Sequence, residues 1–429
     1  MRATAPEKSD PMRQVRAPAE RKALKVSPVD KRRKMIILSF CMVIVTLGSG
    51  MVVPIFPFYV ENLGAGGREL GLLIATAATM EFIFAPAWGR FSDRRGRKPV
   101  LIIGLLGSAI TMVLFGLSNE LWMLFASRGL AGILTAATMP AAMAYVGDIT
   151  SDEERGGGMG VIGSAMGLGV IMGPGLGGLL AANSLSTPFF VAAGLSLSAL
   201  ILMIIFLPES LQVEPSGSEG EFQLIKLGEL REALLGPVGG LLVLSFLLSF
   251  GLSNFDSVFG IYALERFSYG PQQVGVILML MAFITILGRG LFTGPVTRRW
   301  GEASVIGASL LAGSAGYLGL LLADGYALVL LATGFFILSR TLLKPSVLSL
   351  TSKRSIIGQG VSMGLCNSFM SLGKIIGPIW AGYAFDVDLS YPYMSGSVVL
   401  LLSFFVSSAL TMREKREPHG TLNGAIRDL

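Results

Sequence analysis

Gly89-Arg90-Phe91-Ser92-Asp93-Arg94-Arg95-Gly96 returns 205 positions later as Gly294-Pro295-Val296-Thr297-Arg298-Arg299-Trp300-Gly301, and each octet closes one apolar run before the next begins. Pro140 recurs as Pro345 at the same offset, and Gly173-Pro174 with Gly178 recurs as Gly377-Pro378 with Gly382 at an offset of 204. Registers that agree to one residue across a polar middle segment indicate two copies of one unit. The composition says what the unit is made of. The 429 residues are 52% hydrophobic and only 14% charged, with 55 Gly and a mean hydropathy of +0.66. Soluble domains carry about 25% charge and roughly 7% Gly, so the main solvent of this chain is lipid. Soluble enzymes and disordered proteins are excluded. The net charge of +6 and pI of 9.3 do not indicate a nucleic-acid partner, because the cations sit in short clusters between apolar runs.

A helix needs about 20 mostly apolar residues to cross a bilayer, since every backbone amide must be satisfied within the segment. Twelve segments meet that condition: 35–60, 69–90, 99–118, 121–147, 157–181, 187–207, 237–263, 271–295, 303–323, 326–350, 358–383 and 391–412. The organisation is then a basic tail (1–34), a six-helix bundle (35–207), a polar linker (208–236) containing Pro215-Ser216-Gly217-Ser218-Glu219-Gly220, a second bundle (237–412) and a tail (413–429). The fold class is all-α integral membrane, with twelve helices in two six-helix bundles related by pseudo-twofold symmetry. Such a repeat implies a carrier whose substrate site lies between the bundles near the bilayer midplane.

Lys and Arg set the orientation. Residues 1–34 hold eleven of them and the loop 90–98 holds five, whereas the loops of the other side hold only Arg68 and Arg266. Both termini are expected in the cytoplasm, in a multi-pass protein of the cell membrane. The segment after Lys34 is too long for a signal-peptide core and lacks a small-residue cleavage site, so it reads as the first helix. Cys41 and Cys366 lie in apolar spans without a CxxC partner, which argues against disulfides and metal.

Gly89-x-x-x-Asp93-Arg94-x-Gly96-Arg97-Lys98 resembles the signature loop of the major facilitator superfamily. Arg128-x-x-x-Gly132 resembles a motif of its proton-coupled members, and Gly169-x-x-x-Gly173-Pro174-x-x-Gly177-Gly178 resembles its antiporter motif. Over 35–412 the chain is similar to the twelve-helix bacterial drug:proton antiporters of the quinolone-efflux type. Leu47-Gly48-Ser49-Gly50-Met51-Val52-Val53-Pro54 and Leu248-Ser249-Phe250-Gly251-Leu252-Ser253-Asn254-Phe255-Asp256 are especially close. One position departs: those pumps carry a second acid four residues before the tenth-helix proline, where this chain has Thr341, with Arg340 and Lys344 beside it.

An intramembrane charge costs roughly 2.5 to 3.5 kcal/mol on insertion scales, which makes each such group a candidate site. Asp256 is expected to carry the proton, and Glu81 to bind substrate or a second proton. Competition between a proton and a cationic drug for one carboxylate is enough for antiport. The alternative is a carboxylate locked in an ion pair, with Lys374 as the expected partner of Asp256 on grounds of equal depth. The resemblance implies that Arg128 helps deprotonate the coupling acid. Arg289, Arg340 and Lys344 read equally well as cytoplasmic anchors. Gly89, Asp93, Arg94, Gly96 and Arg97, joined by Asp148 and Arg155, form the expected conformational latch. Gly169, Gly173, Pro174, Gly177 and Gly178 are expected to pack the halves together and block a leak. Phe56, Tyr59, Met80, Glu81, Phe84, Met139, Phe255, Asp256, Phe259, Phe336, Asn367, Phe369 and Met370 are the expected cavity lining. The resulting expectation is a proton-coupled exporter of amphipathic drugs. It would use no cofactor beyond the proton gradient and act as a monomer on small molecules and protons in the bilayer. The rivals are an exporter or flippase of a native lipid or metabolite, and a transporter-like sensor. An enzyme would need a nucleophile with a base or metal ligands, which the spans do not supply.

Overall fold

The computed structural model describes residues 28–136, 138–210, 239–353 and 359–416. In the first half α1 (Pro28–Val52) and α2 (Phe56–Asn62) form one span, followed by α3 (Gly67–Arg95) and α4 (Arg97–Gly116). Next come α5 (Leu121–Thr135) with α6 (Thr138–Ile149), α7 (Asp152–Leu180) and α8 (Thr187–Phe206). The second half contains α9 (Gly239–Phe267), then α10 (Pro271–Gly288) continued through a π-helical turn (Arg289–Thr293) into α11 (Gly294–Trp300). It closes with α12 (Glu302–Leu321), α13 (Tyr326–Lys353), α14 (Gln359–Val387) and α15 (Tyr391–Arg416). Among the described residues eleven spans are long and apolar enough to cross a membrane, and α14, of 29 residues, takes the twelfth place. The central linker falls almost wholly outside the described residues.

Several helices outrun the expected spans, α3 to Arg95, α7 from Asp152 and α11 to Trp300, and both outer bundle limits shift as well. Helix α1 starts at Pro28, inside the stretch read as tail, and α15 runs on to Arg416, past 412. The early start has a physical cause: Asp30 lies in the first turn, where a carboxylate suits the helix dipole, and Lys31 pairs with Glu154 of α7.

The loops 90–97, 149–152 and 300–302 share one end of the bundle with the described start of α1, here termed the basic end. At the opposite, far end, four helices hold the halves together in two crossings, α3 on α14 and α7 on α10. Both crossings rest on glycine. A Cβ on Gly71 would overlap the Pro378 carbonyl oxygen, and one on Gly275 would lie 2.5 Å from the Pro174 carbonyl oxygen. One turn further out, a Cβ on Gly382 would overlap the Gly67 carbonyl oxygen, and one on Gly178 would lie 2.6 Å from that of Pro271. The two crossings are the same contact made twice, since 71 and 275, 67 and 271, 174 and 378, and 178 and 382 each differ by 204. Asp386 adds a polar clasp to one of them. Its carboxylate accepts the Gly67 and Arg68 backbone N–H groups at 2.9 and 3.2 Å, capping α3 from the other half.

Toward the basic end the same four helices separate. A Cβ on Gly89, Gly156, Gly160, Gly163, Gly290, Gly294 or Gly364 would meet nothing within 4 Å. The cleft between the halves is therefore closed at the far end and open at the basic end.

The base of the first half is held by a polar network around Arg97, which is 5% exposed. Its guanidinium donates to Asp93 at 2.6 Å, Ser92 at 3.0 Å and Asp148 at 3.1 Å. Glu209, just past α8, accepts the Arg97 and Lys98 backbone N–H groups at 2.9 and 3.0 Å and so caps α4, while Ser210 donates to Asp148.

Replacing Gly71 or Gly275 by Val should force its crossing apart, because overpacking a close backbone approach costs about 1–3 kcal/mol. Spin labels in loops 182–186 and 388–390 should then report a far-end separation longer by several ångström. Gly89→Val, which faces open space, should leave it unchanged. Arg97→Ala leaves the mostly buried Asp148 carboxylate without its cation and should lower stability by about 3 kcal/mol. The thermal unfolding midpoint in detergent is the check. Arg97→Lys should recover less than half of the loss, since an ammonium cannot bridge two carboxylates and a hydroxyl as the planar fork does.

Candidate functional site

Between Ser253 and Ala263 every residue of α9 is buried except Asp256. The reason lies behind the helix, where Phe255 stacks on Phe259 and Phe336 with centroids 4.7 and 4.8 Å apart. Tyr317 packs on Phe336 at 4.6 Å, and Tyr393 on Tyr262 at 4.4 Å. This aromatic block fixes the rotation of α9 and leaves Asp256 as the one side chain turned outward.

Asp256 is met there by Arg340 of α13, not by Lys374. The two guanidinium nitrogens donate to the two carboxylate oxygens at 2.6 and 3.0 Å, a bidentate fork. The Asp256 side chain is 52% exposed and that of Arg340 27%, so the pair is packed against the protein on one side and open on the other. Arg340, read from sequence as a possible membrane anchor, is thus the counter-ion. Lys374 of α14 lies instead within electrostatic range of Lys344, as do Arg289 and Arg340. These residues belong to α9, α10 with its π turn, α13 and α14. Helices α10 and α14 pack on the first half, while α12 and α15 lie behind α13 and α9. The charges therefore face the cleft.

Several expected lining residues are placed elsewhere. Phe255, Phe259 and Phe336 are core residues of the second half, and Phe369 and Met370 are buried as well. Tyr59 is buried with its hydroxyl donating to the Ser118 carbonyl at 2.8 Å, and Phe56 lies beneath Arg128. Their aromatic and sulfur surface packs against protein, which lowers the free energy as well as a ligand would. Glu81, Met139 and Asn367 are exposed, and Met80 and Phe84 half-buried. Among the described residues Glu81 makes no ion pair.

Arg128 stacks over Phe56 at 3.9 Å and Phe115 at 5.2 Å, and its buried Nε has no hydrogen-bond partner. It is held by cation–π contacts rather than by the coupling acid. In the latch, Asp93, Arg97 and Asp148 come together, but Arg155 pairs with Asp152 at 2.9 Å. Among the described residues the partner of Asp93 is Arg97, in the same half. Gly89 faces open space, Gly96 takes a φ of 105° at the α3–α4 turn against Glu209, and Arg94 is exposed. Sequence reasoning missed Glu209, whose one signal was its place just past the sixth span, on the same side as the loop 90–98.

The glycines read as the antiporter motif divide between two faces of α7. Gly169, Gly173 and Gly177 pack on α1 within the same half, at Leu47, Gly50 and Met51. Only Gly178 and the Pro174 carbonyl meet the second half. The expected packing between halves thus falls to two of the five residues, because α7 is wedged between α1 and α10.

Comparison with known proteins agrees with this architecture. The profile of the Major Facilitator Superfamily matches residues 38–355. "Multidrug resistance protein 2" of Bacillus subtilis (strain 168) is 31% identical over 406 residues, covering 93% of this chain and all of that protein. "Multidrug resistance protein 1" of the same organism is 33% identical over 390 residues, covering 91% and 98%. "Quinolone resistance protein NorA" of Staphylococcus aureus is 28% identical over 370 residues, covering 86% and 94%. The fold is shared with the nucleoside transporter NupG (TM-score 0.74, 15% identity, 88% and 98% covered). It is shared also with a bacterial homologue of the lysosomal transporter Spinster in an inward-facing state (0.72, 14%, 91% and 99%). A twelve-span bundle of two repeated halves around a charged cleft, matched by that profile over most of its length, makes this chain a multi-pass membrane transporter, not an enzyme, and a member of the Major Facilitator Superfamily.

Proposed function

We propose that the chain exports amphipathic small molecules, drugs of the quinolone type among them, in exchange for protons. The observation that carries the reading is the Asp256–Arg340 pair, a carboxylate in the middle of a span with one face open to the cleft. The drug-resistance names of the relatives support the substrate class. With the basic end in the cytoplasm, as the Lys and Arg distribution favours, the cleft opens inward and can load a substrate from the cytoplasm or the inner leaflet.

Ionised Asp256 is stabilised by two charge-assisted bonds, and a proton enters only when the guanidinium lets go. A substrate donor or cation that engages the carboxylate displaces that proton. Two ligands competing for one side chain, in a cleft that opens at one end and then the other, are sufficient for exchange. No bound cofactor is required, because the proton gradient supplies the energy, and one chain holds the whole site.

In energised everted vesicles, adding a panel of amphiphiles should release protons from the wild type. Asp256→Asn should cut that release at least tenfold, while Glu81→Gln should retain most of it. Release that persists in Asp256→Asn would remove Asp256 from the coupling role and transfer it to Glu81.

A further inference from the structure

We infer that the cleft contains a subsite for the acidic group of an amphiphilic organic acid, formed by Arg289, Lys344 and Lys374. The inference rests on the cleft assigned above and specifies what enters it. Arg340 is balanced by Asp256, but among the described residues Arg289, Lys344 and Lys374 make neither a hydrogen bond nor an ion pair. The charged side chains within electrostatic range of Lys344 are Lys374, Arg289 and Arg340, all cationic. Arg289 is likewise acted on by Arg340. Glu81, the other acid inside a span, is not among the groups that reach them.

Arg289 and Lys344 stand at one depth, and Lys374 about 7 Å nearer the far end. At 1.5 Å per residue, Arg289 lies about 27 Å from Pro271, Lys344 about 27 Å from Tyr326 and Lys374 about 20 Å from Val387. Anchors that snorkel to headgroups diverge toward the water. These cations instead sit on neighbouring helices with Lys374, Arg289 and Arg340 all within electrostatic range of Lys344, an arrangement that repels itself until an anion enters. Space for one is present: Arg289, Lys344 and Lys374 are all exposed, and a Cβ on Gly290, beside Arg289, would meet nothing within 4 Å. Arg289 itself opens the π turn, whose wider backbone shifts the side chains that follow it away from regular helical register.

The recognition is of an acid group joined to an apolar body, with any amino group of the same molecule free to reach Asp256. The test uses two dyes of one skeleton, 8-anilinonaphthalene-1-sulfonate and N-phenyl-1-naphthylamine, which differ by the sulfonate. Binding to the purified full chain is read by energy transfer from its tryptophans, with empty micelles subtracted. The wild type should prefer the sulfonate by about tenfold. Lys344→Gln combined with Lys374→Gln should erase the preference and leave the neutral dye's affinity unchanged, which also shows that the variant is folded. Equal binding of both dyes by the wild type, or equal loss of both in the double variant, would overturn the inference. Competition with dioleoylphosphatidylglycerol against soluble pyrenebutyrate tells a lipid acid from a free one, and displacement by neither would also count against the subsite. Because binding is read without a gradient, a failure of proton exchange leaves this result standing. Exchange with cationic amphiphiles and no sulfonate preference would sink the subsite alone.

Discussion

The close approach of backbones at the far end is the constraint on which the rest of the molecule depends. Inside a bilayer no hydrophobic force draws two apolar helices together, so the halves must be held by dispersion and by what small residues allow. Gly71 against Pro378 and Gly275 against Pro174 bring main chain onto main chain. A contact of this kind has no adjustable side chain to yield gradually: it is either made or broken. Two such contacts, placed symmetrically, keep the halves attached at the far end while the basic end of the cleft is open.

Charge placement follows from that geometry. An ion pair in a dry span is a poor source of stability, since desolvation offsets most of the attraction. Its position is informative for that reason. Asp256 and Arg340 sit where the cleft narrows below the closed crossings, half in contact with whatever fills the cleft, and a proton or a substrate can change the balance of the pair there. At the base, by contrast, Arg97 is enclosed by Asp93, Asp148 and Ser92 and has nothing left to exchange. The first pair is open on one side to the cleft, and the second is enclosed.

The fold was legible in the sequence because it rests on properties that one dimension carries, namely run length, apolar content and an internal offset. The Gly173-Pro174 and Gly377-Pro378 repeat even named half of each crossing. Its other half, Gly71 and Gly275, obeys the same offset of 204 but has no motif around it, and glycine is too common here for two isolated positions to stand out. The partner of Asp256 failed for a different reason. Equal depth favoured Lys374, but depth says nothing about rotation around the helix axis, and the aromatic block behind α9 turns Asp256 toward α13. The same block explains why Phe255, Phe259 and Phe336 were misread: an aromatic residue in a span has the same sequence signature whether it faces a ligand or another ring.

Contacts between the charged pair and the crossings are short. One turn beyond Asp256 on α9, Gly260 faces Pro57 of the first half, where a Cβ would lie 2.6 Å from the proline ring. One turn before it, Ser253 packs on Gly377, and the next residue, Pro378, presents its carbonyl to Gly71. A change in the hold of Arg340 on Asp256 therefore acts on a helix that touches the first half directly, and on a neighbour that carries one of the two crossings. Coupling through the protein requires an element with two discrete arrangements that both events bias. On the exchange proposed above, that element would be the α3–α14 crossing with its Asp386 clasp, which the Ser253–Gly377 contact joins to α9. The pair would then need to supply only the small difference in free energy that decides whether the crossing stays closed.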